Sequence, residues 1–464
     1  MYRYLIDKMT DWLNSPSRKP LILRGARQVG KTWLVRELAR VSGKKLIEIN
    51  LEQQHALSVH FASNDPKIIL LNLQSALNQF IDPAHSLLFL DEIQATPELL
   101  AKLRWFYECM PELAIVATGS LLEFALKEHE FSMPVGRIQY FFVEPLGFEE
   151  FLQAKQELFL LAAIKQVTLS SPLNQALHQK ANQLMKEYLI VGGMPEAVNC
   201  WVTASSLEAL SEVHHNLINT YKDDFAKYAG TLPKQHLEAV LTALPTMLAH
   251  KLMYRHIHPT VRHELLKQAV ELLVNARLCH KVQAVAANGI PLAAEVNPKI
   301  MKMILVDVGL VSSMLGLRLF HLASLDELMF INSGALMEQL SGQLLRLLTP
   351  HYIEPKLYYW VREHASSTAE VDYVIQDNQY IIPLEVKAGV EGKLRSLHQF
   401  MFEKKGNLAV RLYAGELNQT KINTRTPNGG VIEYELLSVP FYLISELYRI
   451  TAKSANCLNL VGKE

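Results

Sequence analysis

The chain has 464 residues, a length that suits about three domains. Its 46 Lys and Arg balance 46 Asp and Glu, so no global positive field advertises a polyanionic partner, and contact with nucleic acid has to come from a local patch. Hydrophobic residues make up 49% of the chain, yet no run approaches the roughly 18 apolar residues of a membrane span, which argues against a membrane-spanning protein.

The opening MYRYLIDKMTDWLN carries charges throughout and has no apolar signal core. Tyr2, Leu5, Ile6, Met9, Trp12 and Leu13 recur at helical spacing and predict an amphipathic first helix. Residues 21–24 form a short apolar run suited to a buried parallel strand, and Gly25-Ala26-Arg27-Gln28-Val29-Gly30-Lys31-Thr32 follows, a complete G-x-x-x-x-G-K-[ST]. A helical pattern begins at Trp33, with Leu34, Leu38 and Ala39 on one side, and closes near Gly43. In such a loop, glycines let backbone N–H groups face phosphates, and the helix N-terminus adds partial positive charge. The expected ligands are ATP and Mg²⁺, held by residues 25–33: Lys31 reaches the β- and γ-phosphates and the Thr32 hydroxyl ligates the metal.

His85 to Leu90 is an apolar strand that ends in Asp91-Glu92. Carboxylates there lie at the sheet edge where open α/β folds bind ligands. Asp91 is expected to hold Mg²⁺ through water and Glu92 to polarise the attacking water, which favours hydrolysis over transfer to a second substrate. Residues 114–118 read as the next strand, and a polar side chain at its tip, Thr118 or Ser120, can position that water. Arg137 is a candidate finger toward a neighbouring subunit's γ-phosphate, against the plainer reading of a surface or DNA-facing arginine; Arg104 is the reserve candidate.

The segments LILRGARQVGKT, LLFLDEIQ, IVATGS, PVGRIQ, FFVEPLGFEEF and GGMPEAV together resemble the prokaryotic AAA+ ATP-binding proteins whose C-terminal half was long described only as a domain of unknown function. The resemblance runs from residue 1 to beyond residue 400. It implies an α/β protein with a P-loop AAA+ core (1–155), a helical lid (156–226), a winged-helix domain (227–325) and a C-terminal restriction-endonuclease-like α/β domain (326–464). AAA+ proteins often carry Asn where Thr118 stands.

In the middle of the chain, Gly192-Gly193 followed by Pro195 marks a turn between helices, and Asp223-Asp224 reads as a solvated helix face. His236 to Ala249 and Arg262 to Asn275 are predicted helices; Leu278 to Val285 and Lys299 to Val306 are predicted wing strands around an Asn288-Gly289 turn. Lys251, Arg255, Arg262, Lys267, Arg277 and Lys281 make the clearest basic cluster, opposed only by Glu264 and Glu271, and a helix with a wing is one way to meet DNA. A protein-binding winged helix with an ordinary charged face is the alternative.

Further on, Asp372 lies on one predicted strand and Leu384-Glu385-Val386-Lys387 ends the next. Glu385 and Lys387, two apart on a strand, share a face, and antiparallel pairing brings Asp372 beside them. This resembles a PD-(D/E)XK nuclease core, with Glu338 as the extra acid and Gln399 as a helper. Asp372 and Glu385 would hold Mg²⁺ to polarise a scissile phosphate, and Lys387 would orient water. A hairpin with one solvated, charged face is the competing reading.

The cysteines, Cys109, Cys200, Cys279 and Cys457, are far apart without a CxxC pair, as in proteins of a reducing compartment, and the expected location is cytoplasmic. The first functional expectation is an AAA+ motor on branched or broken DNA, a homo-oligomer and most simply a hexamer, serving repair, recombination or defence. The alternatives are an ATP-driven regulatory switch and a DNA-tethering ATPase with an inert endonuclease fold.

Overall fold

The computed structural model describes residues 2–119, 122, 136–228, 230, 232–317, 333–362, 369–389, 393–425 and 429–452. The first helix, Leu5–Asn14, buries the expected Ile6, Met9, Trp12 and Leu13. Strands β1 (Leu21–Arg24), β2 (Lys45–Asn50), β3 (Ser86–Asp91), β4 (Ala114–Thr118) and β5 (Gln139–Phe142) form one sheet in the order β2-β3-β4-β1-β5. Every pairing in it is parallel. β3 and β4 are buried along their whole length, which is why they read in the sequence as unbroken apolar runs. β4 lies between β1 and β3, so its C-terminal residue, Thr118, emerges between the glycine loop and Asp91.

Helices Phe148–Ala154, Leu158–Gln166, Gln175–Val191, Pro195–Ala204 and Leu207–Tyr228 follow. Gly192-Gly193 is a turn, as its sequence predicts, and also a hub. Gly193 N donates to Asp307 Oδ2 at 2.6 Å, and Gly193 O accepts from Leu146 N at 2.7 Å. Gly192 has φ 73° and ψ −166°, and a Cβ there would meet Asp307 Oδ1 at 2.0 Å. That backbone region is essentially closed to other residues. Gly192→Ala is therefore expected to destabilise the chain by at least about 2 kcal/mol, read as a fall in the denaturant midpoint; an unchanged midpoint would show that the hub tolerates displacement.

The remaining strands are β6 (Cys279–Val285), β7 (Val296–Leu305), β8 (Leu357–Val361), β9 (Glu370–Asp377), β10 (Tyr380–Val386), β11 (Leu408–Tyr413), β12 (Asn418–Arg425) and β13 (Val431–Pro440). They form a single eight-stranded sheet in the order β12-β13-β11-β10-β9-β8-β6-β7. The expected wing needs correction here. β6 and β7 do pair antiparallel, but β6 also runs parallel to β8 through Val282↔Leu357 to Ala284↔Tyr359. The hairpin is thus the edge of the C-terminal sheet, and the sheet crosses the expected boundary at 325. The physical reason is burial: Cys279, His280, Val282, Ala284 and Val285 are all covered, whereas a wing keeps one face in water. The helix expected over 236–249 ends at Ala243 and continues as a tighter turn over Leu244–Met247, where Pro245 cannot donate a helical hydrogen bond.

Helix Ser333–Arg346 crosses the interior beside this sheet. Its buried polar side chains are paired: Gln339 bonds both N–H and C=O of Leu305, and Gln343 Nε2 donates to Asp307 Oδ2 at 3.1 Å. One apolar cluster runs without a break from Ile6 and Leu21 through Leu189 to Leu384 and Leu443.

Candidate functional site

The glycine loop is shaped as its sequence requires. Gln28 and Gly30 take positive φ, 64° and 93°, and a Cβ on Gly25 would meet Val143 O at 2.3 Å. Ala26 and Val29 are buried beneath the loop, while Trp33, in the first helical turn, is 38% exposed beside it. Lys31 is buried and points into the loop, its Nζ donating to Gly25 O at 3.0 Å and Ala26 O at 2.8 Å. Burial lowers its pKa to about 8, and the nearby Glu92 and Asp91 carboxylates limit the drop.

Thr32 Oγ1 donates to Asp91 Oδ2 at 3.2 Å, and Thr118 Oγ1 donates to Asp91 Oδ1. Burial raises the Asp91 pKa, with the Thr118 hydrogen bond opposing it. Hydroxyl and carboxylate oxygens converging at the end of the glycine loop are the hard donors Mg²⁺ prefers, so the residues fit that ion. Glu92 sits at φ 53°, and Gln94 Nε2 donates to its Oε2 at 2.6 Å. Gln94 was not foreseen from the sequence; its place two residues after the acidic pair in LDEIQ is the only signal it leaves. Ser120 lies outside the described residues.

Two further contacts on the loop come from distant parts of the chain. Arg3 Nη1 donates to Val29 O at 2.8 Å and its Nη2 to Glu144 O at 2.7 Å, while its Nε pairs with Glu150 Oε1 at 3.1 Å. Arg27 pairs with Asp224, and Tyr221 Oη donates to Arg27 O at 3.1 Å. Asp224 is therefore buried against the glycine loop, which corrects the expectation of a solvated helix face. Arg137 and Arg104 are both about half exposed and both reach Glu108 Oε1, at 3.1 and 3.0 Å.

The basic cluster is only partly a surface. Lys251, Arg255, Arg262 and Lys267 are exposed. Arg277 is buried, pairs with Glu354 Oε1 at 2.9 Å and lies over the Phe142 ring, so it does not belong to a DNA-facing patch. Lys281 is half-buried and paired with Glu271 Oε1 at 2.5 Å.

In the C-terminal sheet, β9 and β10 pair antiparallel and bring the predicted acids together. Val386 N donates to Asp372 Oδ2 at 2.7 Å, and Lys387 Nζ to Glu385 Oε1 at 2.7 Å. Glu338 joins them from helix Ser333–Arg346, but through an unforeseen residue. Lys302 Nζ, on β7, lies 2.8 Å from Glu338 Oε1 and 4.0 Å from Asp372 Oδ1, and also pairs with Glu370. Its sequence signal is a lone charge inside the apolar run Ile300 to Val306. Burial raises the pKa of both Glu338 and Glu385, and the neighbouring Asp372 adds to it. Among the described residues no group of three or more His, Cys, Asp and Glu is arranged to hold a metal ion. Each of the two expected Mg²⁺ ligands has an ammonium beside it, Lys302 at 4.0 Å from Asp372 Oδ1 and Lys387 at 2.7 Å from Glu385 Oε1.

Among the described residues no helix is long and apolar enough to cross a membrane. A family model described as an AAA domain matches residues 17–152. Two models described as domains of unknown function match residues 182–320 (DUF8612) and 333–428 (DUF4143). No curated protein matches the chain. A solved structure of C. elegans PCH-2 aligns with 46% of this chain and 69% of that one, at 14% identity and a TM-score of 0.29, which is too loose to carry an argument. Residues 17–152 are thus similar to an AAA domain, a match that supports ATP binding and hydrolysis at the glycine loop, and the two regions that follow are matched by models of unknown function.

Proposed function

We propose that this chain is a Mg²⁺-dependent ATPase that acts on DNA. The observation that carries the ATPase reading is the hydrogen-bonded set Thr32, Asp91 and Thr118, with Glu92 beside it at the ends of adjacent strands. Lys31 and the loop N–H groups bind the β- and γ-phosphates. Thr32 and Asp91 would hold Mg²⁺, which would supply neutralisation of the charge developing on the phosphates. Thr118 orients Asp91 and the attacking water, and Glu92, held by Gln94, polarises that water. Arg27-Asp224 and Tyr221 tie the loop to helix Leu207–Tyr228, which gives nucleotide state a route to the rest of the chain.

Exposed Lys251, Arg255, Arg262 and Lys267 support DNA as the partner, with branched or broken DNA the first forms to test. Arg137, about half exposed, is the finger in a homo-oligomer, a hexamer in the simplest arrangement. A regulatory switch is the second reading, favoured by the ion pair and hydrogen bonds that join the loop to Asp224, Tyr221 and Arg3 within one chain.

The deciding experiment is the ATPase rate with duplex, single-stranded and four-way-junction DNA, with Lys31→Ala as the blank. Stimulation by one form supports the DNA reading; Lys31-dependent hydrolysis that no DNA alters refutes it and favours the switch. A separate expectation concerns Asp224→Ala. Because the Arg27 side chain is 31% exposed, stability should change by less than about 1 kcal/mol. The KM for ATP should nevertheless rise several-fold, since Arg27 shapes the loop. An unchanged KM would remove the pair from the nucleotide site.

A further inference from the structure

The C-terminal acidic cluster contains a cation supplied by the chain itself. The Lys302 side chain is 1% exposed and its Nζ meets Glu338, Glu370 and Asp372 together. The Tyr359 ring lies 5.0 Å below it. Lys302 comes from β7, the edge strand, while Asp372 comes from β9, with β6 and β8 between them in the sheet. The side chain therefore spans the face of two strands to reach a cluster that includes Asp372, one of the two acids that the sequence pattern assigns to a metal.

We infer that Lys302 takes the place of a divalent metal ion in this cluster, so that the domain keeps the acids of a nuclease-like fold without metal-dependent cleavage. A divalent cation held by Asp372 and Glu385 would lie close to the ammonium, which is 4.0 Å from Asp372 Oδ1, and like charges that near in a buried site repel strongly. The ammonium donates to Glu338 and pairs with Glu370, and serves as a counter-charge to Asp372. It has no open coordination position and does not activate a water or polarise a phosphate as a bound metal does. Burial works against the charge of Lys302, but Glu338, Asp372 and Glu370 outweigh it and hold the side chain protonated well above the ordinary lysine range. The same contacts fasten the hairpin of β6 and β7 to helix Ser333–Arg346 and to β9.

The test is Mn²⁺ binding to the full chain without nucleotide, followed by the paramagnetic resonance of free Mn²⁺. Wild type and Asp372→Asn should give the same isotherm. Lys302→Ala should gain one bound Mn²⁺ per chain, and Lys302→Ala with Asp372→Asn should lose it again. ATP hydrolysis by each variant reports that it has folded. A wild-type Mn²⁺ site that disappears in Asp372→Asn overturns the inference, and so does a folded Lys302→Ala that binds no extra ion. If Lys302→Ala does not fold, the comparison of wild type with Asp372→Asn decides alone. Mg²⁺-dependent cleavage of duplex, single-stranded or junction DNA is read in parallel: its absence in wild type agrees with the inference, and cleavage lost in Asp372→Asn overturns it.

Discussion

Glu92→Gln is expected to lower kcat for ATP hydrolysis by about 10²- to 10⁴-fold, the usual worth of a positioned general base, while ATP affinity stays within a few-fold of wild type. The asymmetry follows from position. Glu92 follows Asp91 at the end of β3, with a left-handed backbone that turns it away from the strand, and Gln94 holds its carboxylate. Phosphate binding rests on the loop N–H groups and the Lys31 ammonium, so affinity should largely survive the loss of Glu92. Lys31→Ala should differ by weakening binding as well as turnover, because Nζ is the buried donor within the loop. Single-turnover hydrolysis and titration with a fluorescent ATP analogue separate the two effects. Hydrolysis by Glu92→Gln at the wild-type rate would displace it as the base; equal losses of binding and turnover would make it a structural residue of the loop.

The second large effect belongs to the ion pair that joins the AAA domain to the C-terminal sheet. Arg346 grips Glu144 through two hydrogen bonds of 2.9 and 2.7 Å, and both side chains are buried. Burial alone would raise the Glu144 pKa from its ordinary 4.5, but Arg346, then His280 and Arg277, bring it down to about 2. Arg346→Met leaves that buried carboxylate without its hydrogen-bonded partner, and should cost about 3–5 kcal/mol of stability. The pH dependence has a definite sign. A carboxylate whose folded pKa is depressed contributes stability that is fully present above its unfolded pKa and is lost as pH falls through the folded value. The pair's contribution is therefore intact above about 4.5 and fades toward pH 2. Urea denaturation of wild type and variant at pH 7, 5.5 and 4 should show a gap that is widest at pH 7 and narrowest at pH 4. A gap independent of pH down to 4 would mean that lost packing, not lost charge pairing, sets the cost.

Much of the nucleotide site is legible in the sequence because its parts are local. A strand, a glycine loop and a helix follow one another within residues 21–42, and an apolar strand ending in Asp91-Glu92 is equally compact. Short-range sterics and hydrophobic burial dictate such units. What the sequence could not convey is which distant groups close around them. Arg3 on Val29, Asp224 on Arg27 and Gln94 on Glu92 depend on tertiary packing or on loop geometry that carries no periodic signal.

The C-terminal half shows the same division more sharply. Asp372 and Glu385 are expected on two successive strands, and both strands exist. The partner of each charge is decided elsewhere. Arg277, grouped in the sequence with surface cations, is drawn inward by Glu354 and the Phe142 ring. Lys302, unremarked among apolar neighbours, reaches across the sheet to the acids. Composition and spacing by themselves determined the P-loop, its strand and helix, and the acidic pair that completes the site, because each rests on contacts between near neighbours in the chain. Only the tertiary structure decided that the β6–β7 hairpin joins the C-terminal sheet and that a lysine stands among its acids, because burying a charge demands a counter-charge, and the fold alone determines which one is near.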